Sequence, residues 1–387
     1  MSDNFKGSIA QKHVNFPIET VIEPIAGENY SRAMIFVPLS LADTYLSGAD
    51  SKTANTLIEL NSSNYSTITG GLLNTWLYPF FKSATQAIVY AAIFDDTQAT
   101  TTDDDTTTVT TVTYPLATVY ETYKMYAYFK FIIAEDSSTY ASLNVELSTL
   151  CLTDSLYSDI WIGTSDSNVL TKSSSLISSL NTALSNARVI YNPDTTINPA
   201  LAQLGCTLKS INATSTPVGN SIDSVAFSTV SPSGADDDDG NATNLSSSYC
   251  TALDDQKIGY NTYVGDGTTN VVTEGSLTLQ GESVGANWVK NYITYMCKVK
   301  TATLMSKMNA FRNNATYQAI LLTLSAIVQD FVDFGRLSDF KITAPAFKDL
   351  DSSGDSITVP DAWQATYIDN VREVTVYGTL YLTQPTR

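Results

Sequence analysis

The residue types that carry most acid–base and nucleophilic catalysis are sparse in this chain of 387 residues. His13 is the only histidine, and it lies near the start of the chain in a stretch without helical spacing. A general base needs a fixed position in a cleft, so a Ser–His–Asp or Cys–His site is not expected. No HExxH, Walker A or GxGxxG pattern is present. We therefore expect no catalytic residue, no bound cofactor and no enzyme.

Two short motifs imitate ligand-binding loops. Residues 349–355 place oxygen-bearing side chains at alternate positions, as a calcium loop does, but its twelfth position is Pro360 instead of Glu. Residues 265–267 read Gly-Asp-Gly, yet no helix is expected directly after them, as a phosphate loop requires. We interpret both as turns and assign no metal ligand. Paired carboxylates like those of glycosidases meet only in the fold, so a carbohydrate-active enzyme stays open as an alternative.

The cysteines predict neither a disulfide framework nor a zinc site. The four residues are Cys151, Cys206, Cys250 and Cys297. They are widely spaced and form no C-x-x-C pair, which favours free thiols.

The chain is strongly acidic, with a formal net charge of −18, but its basic residues are unevenly distributed. No acidic residue occurs between Glu282 and Asp330. The same window holds five basic residues, Lys290, Lys298, Lys300, Lys307 and Arg312. Such segregation influences which surface meets which partner, so these residues are candidates for contact with an acidic partner or a neighbouring copy. The alternative is a solvated helix face that balances the protein's own acidic surface.

The composition favours a protein that forms interfaces but contacts neither nucleic acid nor membrane. Charged residues make up only 16% of the chain, and 22 tyrosines supply rigid amphipathic contact area. The acidic balance argues against nucleic acid as a partner. No apolar run approaches about 20 residues, so we expect no membrane insertion. Residues 1–15 are polar and lack a signal-peptide core, which predicts accumulation in the cytoplasm of the producing cell.

Apolar runs and helical spacing alternate in the first half of the chain. Residues 86–94, 159–163 and 188–191 have the continuous apolar character of strands buried on both faces. Helical spacing occurs between them, at Leu143, Leu147 and Leu150 and at Leu176, Ile177, Leu180 and Leu184. This alternation predicts an α/β core with a partly parallel sheet and helices on its faces.

The second half predicts a β-hairpin followed by two helices. Residues 260–264 and 271–279 are rich in β-forming types and flank a glycine-containing turn. Apolar residues at helical spacing, beginning at Trp288 and again at Tyr317, predict two helices separated by Asn313 and Asn314. Gly335 follows the second helix as a left-handed C-cap.

These patterns divide the chain into five predicted segments. Residues 1–28 form an N-terminal extended arm, and residues 29–230 form the α/β core with inserted regions. Residues 231–255 form an acidic surface loop, residues 256–345 the hairpin with its helices, and residues 346–387 a linker with a C-terminal β arm. A second acidic loop is expected at residues 100–113, because its low-complexity sequence offers little to bury.

The order of these elements resembles contractile phage tail sheath proteins of the small sheath family, over the region from Asn198 to the C-terminus and more loosely before it. The residues that carry the resemblance are the hairpin at 260–263, Glu274, Gly275, Trp288, Gly335, Trp363 and the glycine-containing strand at 372–382. Residues 201–205 also resemble the segment that leads out of the core in that family.

The resemblance implies a structural subunit of a contractile tail sheath. Such subunits polymerise as stacked hexameric rings around a tail tube, and they contract to drive the tube into the host envelope for genome ejection into the host. The implied partners are copies of the chain itself, the tail tube protein, and baseplate and tail terminator proteins. The implied location is the tail sheath of the virion, after assembly in the host cytoplasm.

The resemblance further implies that N- and C-terminal β arms add strands to the sheets of neighbouring copies. The candidate residues for this strand exchange are Val14, Phe16, Ile18, Val374, Val376, Leu380 and Leu382. In the last strand, apolar residues alternate with Thr and Tyr, so both faces could be covered by a partner. The alternative for this segment is an ordinary strand of its own domain.

A second class of function stays open from the sequence. Abundant Ser, Thr and Asn, acidity and few cysteines are also typical of a secreted surface adhesin or an S-layer-like structural protein. The lack of an apolar signal segment and the predicted α/β core argue against that class.

Overall fold

The computed structural model describes thirteen ranges of the chain. They are residues 28–96, 100–103, 106–109, 114–133, 141–208, 226–227, 231–234, 243–264, 270–274, 277–307, 313–333, 335–350 and 362–368. The strands are β1 Ala33–Pro38, β2 Thr56–Leu60, β3 Val89–Phe94, β4 Thr100–Asp103, β5 Thr106–Val109, β6 Phe129–Ile132, β7 Asp159–Thr164, β8 Arg188–Tyr191, β9 Ala226–Phe227, β10 Gly259–Val264, β11 Asn270–Glu274, β12 Leu337–Ile342 and β13 Trp363–Tyr367. The α-helices are α1 Ala42–Tyr45, α2 Tyr65–Ile68, α3 Gly71–Ser83, α4 Leu116–Tyr123, α5 Ala141–Thr153, α6 Ser175–Thr182, α7 Pro199–Leu208, α8 Ser247–Gln256, α9 Val284–Lys307 and α10 Asn314–Asp333.

The centre of the fold is a nine-stranded mixed sheet in the order β2-β3-β1-β6-β7-β8-β10-β11-β9. Neighbouring strands from β3 to β10 run parallel, and β2 and β11 are antiparallel to their neighbours. All six residues of β1 and of β3 are buried. A strand covered on both faces needs apolar side chains on both, which is why these segments are continuous apolar runs. The predicted α/β fold with a partly parallel sheet is confirmed.

Helices cover both faces of the sheet and form two separate cores. Along β1, Ile35 and Val37 belong to a cluster with α3, α7, α9 and α10, whereas Met34 and Phe36 belong to a cluster with α4, α5, α6 and α8. Because side chains alternate along a strand, one strand contributes to both clusters. The molecule is therefore built in three layers, helices on a sheet on helices.

The predicted hairpin and the two helices after it are confirmed. In β10 and β11, Tyr260 pairs with Glu274 and Val264 with Asn270. Strand β10 also pairs in parallel with β8, so the hairpin extends the central sheet. How the chain divides into domains stays a prediction.

Gly335 ends α10 as predicted. Its φ of +71° is left-handed, and its N–H donates to the carbonyl of Val332 at 2.9 Å. The N–H of Arg336 donates to the carbonyl of Phe331 at 2.8 Å. This pair of bonds is the Schellman motif, which satisfies two carbonyls at the end of a helix.

Both predicted acidic loops contain regular structure, which corrects the sequence analysis. Within residues 100–113, β4 and β5 form an antiparallel hairpin that pairs Thr100 with Val109. A run of Thr has high β propensity, and this preference outweighed the low complexity of the segment. The segment 231–255 ends in α8, which buries Leu253 and is capped by left-handed Lys257 with a φ of +60°. A helix with one buried apolar side chain leaves only a weak periodic signal.

The N-terminal arm, apart from Glu28, lies outside the described residues. The C-terminal segment 372–382 also lies outside them. All seven candidates for strand exchange fall in these regions, so their role stays a prediction.

Candidate interaction surfaces

Helix α9, which carries the basic residues, is fixed to the core by a cluster of aromatic rings. The ring of Tyr30 stacks on Tyr128 with centroids 4.5 Å apart, and it meets the rings of Trp288 and Tyr292 edge-on at 6.3 and 5.2 Å. The indole Nε1 of Trp288 also donates to the carbonyl of Tyr30 at 3.3 Å. Offset and edge-on aromatic pairs stabilise a core beyond the area they bury. The first half of α9 is therefore held in one orientation against the sheet.

Asn291 connects α9 to the turn between α5 and β7. Its Nδ2 donates to the hydroxyl of Tyr128 at 2.9 Å and to the carbonyl of Ser155 at 2.7 Å. These two bonds fix the rotation of the helix about its own axis. Consequently the side chains on the outer face of α9 are presented at defined positions.

The predicted basic residues do not form one stripe on α9. With 3.6 residues per turn, Lys298 and Lys300 project about 200° apart around the helix axis. Lys290 and Lys300 are exposed, and Lys298 is half-buried. Among the described residues, none of the three forms an ion pair with a carboxylate. Lys307 is the last residue of α9, and Arg312 lies outside the described residues.

Lys298 and Lys290 each have a specific local environment. The Nζ of Lys298 lies 5.8 Å from the ring centroid of Tyr157, a cation–π geometry, and burial lowers the pKa of this lysine. Lys290 lies near Glu282, whose carboxylate accepts from the amides of Asn287 at 2.7 Å and Asn186 at 2.6 Å. These two bonds, and to a lesser degree the charge of Lys290, lower the pKa of Glu282. Lys300 is the most freely presented cation of the three.

Helix α10 combines a buried face with a partly exposed face that carries several apolar side chains. Ile327, Val328 and Phe331 are buried in the core, whereas Leu322 is 70% exposed. Ile320, Leu321 and Leu324 are half-buried. By length and composition this 20-residue helix could cross a membrane, and 33% of its apolar window is buried. Polar residues such as Gln318, Ser325 and Gln329 interrupt the helix, so it is not the continuous apolar run of about 20 residues that the sequence analysis excluded.

The last two described strands form a ribbon of their own. Strands β12 and β13 pair antiparallel, from Leu337 with Tyr367 to Ile342 with Trp363. A bulge between Ser338 and Lys341 interrupts the register, and Asp339 has a φ of +53°. A two-stranded ribbon is marginally stable alone and leaves two edges of unpaired backbone groups. Among the described strands, β12 and β13 pair only with each other, as do β4 and β5.

All four cysteines are free thiols, as predicted, and three of them are buried. Within the described ranges, no group of three His, Cys, Asp or Glu could hold a metal ion. Of the calcium-like motif, Asp349 lies in a short 3₁₀ turn, and the remainder from residue 351 lies outside these ranges, as does the turn at 265–267.

Sequence reasoning missed three ionisable residues that lie close together, two of them buried and one half-buried. They are Lys130 in β6, Cys151 in α5 and Asp159 at the start of β7. A cavity of about 210 Å³ opens beside Cys151 and Asp159 and reaches Lys290 on α9. The sequence signal that could have revealed them is a single charged residue in each of two otherwise apolar strands. Such a residue is informative because buried charges need a specific partner or environment.

Comparison with solved structures reveals a shared fold. The chain matches a chain of the anti-feeding prophage (AFP) baseplate, solved by cryo-electron microscopy with six-fold symmetrisation, with a TM-score of 0.60 and 10% sequence identity. That match covers 95% of this chain and 98% of the other. A second match, to the crystal structure of a sheath tail protein from Listeria innocua, has a TM-score of 0.43 and 11% identity and covers 83% and 91% of the two chains. No family model matches the sequence, and no curated protein matches it.

Proposed function

We propose that this protein is a structural subunit of a contractile tail sheath. One observation carries the proposal, namely that the fold matches a chain of a six-fold symmetrised baseplate over nearly the whole length of both chains. The sequence resemblance to tail sheath proteins supports the same kind of assembly. It rests on the hairpin, which extends the central sheet, and on the two helices that follow it. In this proposal copies form hexameric rings that stack around a tail tube and contract to drive the tube into the host envelope.

The ribbon of β12 and β13 offers the subunits a physical means of assembly. Each edge of the ribbon can accept a strand from the arm of a neighbouring copy, as in β-strand addition. Every backbone hydrogen bond formed this way contributes roughly 0.5 to 1.5 kcal/mol net. The donated strand is connected to its own subunit only by a polypeptide linker. Two subunit bodies can therefore reorient while the strands stay paired. Such links would let a lattice change length without falling apart.

The proposed partners are further copies of the chain, the tail tube protein, and baseplate and tail terminator proteins. The proposed location is the virion tail sheath, after assembly in the host cytoplasm. We propose no enzymatic activity, no nucleic acid partner and no direct membrane insertion. The exposed lysines of α9 are proposed to face the acidic surface of the tube or of a neighbouring copy.

Electron microscopy of the purified full-length chain tests the proposal. We expect hollow cylinders with six-fold end-on views. Deleting residues 1–28 or residues 372–387 should abolish the cylinders while the far-UV circular dichroism of the core is retained. Flat two-dimensional lattices would instead favour the adhesin or S-layer-like class. Discrete monomers at every concentration would contradict both structural proposals.

A further inference from the structure

The cavity beside Asp159 lies at the amino ends of β7 and β8, where the two helical layers meet. Its wall includes Ser148 and Cys151 from α5, Asn186 before β8, and Asn287 and Lys290 from α9. The volume of about 210 Å³ is large enough for several water molecules. That is smaller than most sites for drug-sized ligands but sufficient for one charged head group on a short stem.

The wall of the cavity has two acidic side chains, Asp159 and Glu282. The Oδ2 of Asp159 accepts from the indole Nε1 of Trp161 at 3.1 Å, and the backbone N–H of Ile160 provides a further hydrogen bond. None of the ion pairs among the described residues includes it. The other acid of the wall, Glu282, is already held by two amide donors. Burial raises the pKa of Asp159 to about 7, as expected for a carboxylate with too little compensation.

The charges of Arg188 and Lys130 favour the ionised form of Asp159, but both cations hydrogen-bond to other groups. The guanidinium of Arg188 lies 5.2 Å from the ring centroid of Trp161 and donates twice to Oε1 of Gln203, at 3.2 and 3.1 Å. The amine of Lys130 donates to the carbonyls of Lys124 and Ala127. Lys290 lies at the exposed rim. A carboxylate in this setting is stabilised by an additional cation that also hydrogen-bonds to the polar wall.

We propose that this cavity binds a primary ammonium or guanidinium group on a short aliphatic stem, with Asp159 as its counter-ion. The ligand chemistry is that of a lysine or arginine side chain or of a free diamine. Asp159 forms the charged hydrogen bond, and hydroxyl and amide oxygens of the wall accept the remaining N–H groups. The proposal is independent of the proposed function, since the site is complete within one copy.

The indole of Trp161 is a reporter of the site because it hydrogen-bonds to the carboxylate. The full-length chain carries four tryptophans, so labelling with ¹⁵N-tryptophan gives few indole signals, and Trp161→Phe assigns the relevant one. The soluble chain is measured by TROSY NMR, or the sedimented polymer by magic-angle-spinning NMR. Titration with n-butylammonium chloride should shift the Trp161 signal saturably, whereas n-butanol and matched sodium chloride should not.

Three variants make the test specific. Asp159→Asn, which keeps the shape of the side chain, should weaken n-butylammonium binding at least tenfold. Asp255→Asn, an exposed carboxylate paired with Lys172, should leave it unchanged. Lys290→Gln should strengthen binding about twofold or more, because a competing positive charge is removed from the rim. A lack of saturable shift, or equal binding to the Asp159→Asn variant, would overturn the proposal.

A second experiment distinguishes the two sources of the cation. This experiment alone relies on the proposed polymer. If a neighbouring copy supplies the side chain, the Trp161 signal of the polymer already has its ligand-bound position and added n-butylammonium does not move it. If the ligand is a free amine, polymer and monomer respond alike. Failure to polymerise would contradict the proposed function and leave the binding result of the single chain intact.

Discussion

Lys130 and Asp159 lie in strands whose other residues are mostly apolar and buried. Burial lowers the pKa of Lys130 to about 7 and raises that of Asp159 to about 7, because both charged forms lose hydration. The two pKa shifts make the stability of the folded state depend on pH in opposite directions. Asp159 favours the folded state below its ordinary pKa near 3.8, and this contribution is lost as the pH rises through 7. Lys130 favours the folded state above its ordinary pKa near 10.5, and this contribution is lost as the pH falls through 7.

The substitution Asp159→Asn should remove the acidic limb of this pH dependence. In the wild type, the free energy of unfolding should fall between about pH 4 and pH 7, by at most about 1.4 kcal/mol per pH unit for one proton. In the variant the decline over that interval should be smaller, because Asp159 no longer has to ionise inside the protein. Urea unfolding followed by circular dichroism at a series of pH values measures this. An Asp255→Asn variant should behave as the wild type, and an unchanged decline in Asp159→Asn would contradict the assignment.

The properties of some individual residues could be predicted from the sequence, and those of others could not. The four cysteines were correctly predicted as free thiols because their spacing offers no partner. Asp159 could be recognised as unusual by its place in the run Asp-Ile-Trp-Ile-Gly, but not as part of a cavity. The wall of that cavity combines residues from α5 and β7 with residues from α9, which lies more than a hundred positions later in the chain. Only tertiary packing brings them together.

At the scale of elements, predictability depended on how strongly a segment was patterned. Strands β3, β7 and β8 were predicted because burial on both faces demands continuous apolar residues. Helices α9 and α10 were predicted from apolar residues at helical spacing. Strand β9 has two residues and β12 reads Leu-Ser-Asp-Phe-Lys-Ile, so neither carries a decisive pattern. Their strand conformation depends on the partner strand, which a local sequence does not specify.

The Schellman motif at the end of α10 predicts the effect of replacing Gly335. Alanine at a φ of +71° should lower the free energy of unfolding by about 1 kcal/mol, because an L-residue is strained in this region. Nothing lies within 4 Å of an added Cβ, so the effect isolates backbone strain from crowding. Asparagine adopts the left-handed conformation more readily, so Gly335→Asn should cost less than Gly335→Ala. Chemical denaturation of the three proteins compares them, and equal stability of all three would contradict the motif's role.

The two faces of α10 should respond differently to substitution. Phe331→Ala removes a fully buried ring and should destabilise the subunit by about 3 to 5 kcal/mol. Leu322→Gln changes a side chain that is 70% exposed and should alter stability by no more than about 0.5 kcal/mol. If the exposed face is covered during assembly, Leu322→Gln should raise the concentration needed for polymerisation, as measured by sedimentation. A large loss of stability in Leu322→Gln would show that this face packs within its own subunit.

At the scale of the whole molecule, the sheet and its two helical layers form a body with an asymmetric charge distribution. The chain carries a net charge of −18, whereas α9 contains lysines and no acidic residue. The aromatic cluster around Tyr30 and the bonds of Asn291 hold α9 in place, so Lys290 and Lys300 are displayed on a rigid support. Contacts between oppositely charged surfaces favour association most at low ionic strength. Assembly should therefore weaken with added salt if these lysines face an acidic partner.

Reversing the charge of both exposed lysines tests that interpretation directly. The double substitution Lys290→Glu and Lys300→Glu should impair the formation of extended cylinders and reduce the salt dependence of assembly, because attraction becomes repulsion at the contact. The subunit should remain folded, since neither side chain makes an ion pair with a described carboxylate. The matched control is Lys82→Glu with Lys172→Glu, which changes the net charge equally at exposed or half-exposed sites outside α9 and removes only one surface ion pair. Electron microscopy and sedimentation at several salt concentrations compare the three proteins. Equal impairment by both double variants would mean that overall charge, and not the surface of α9, governs assembly.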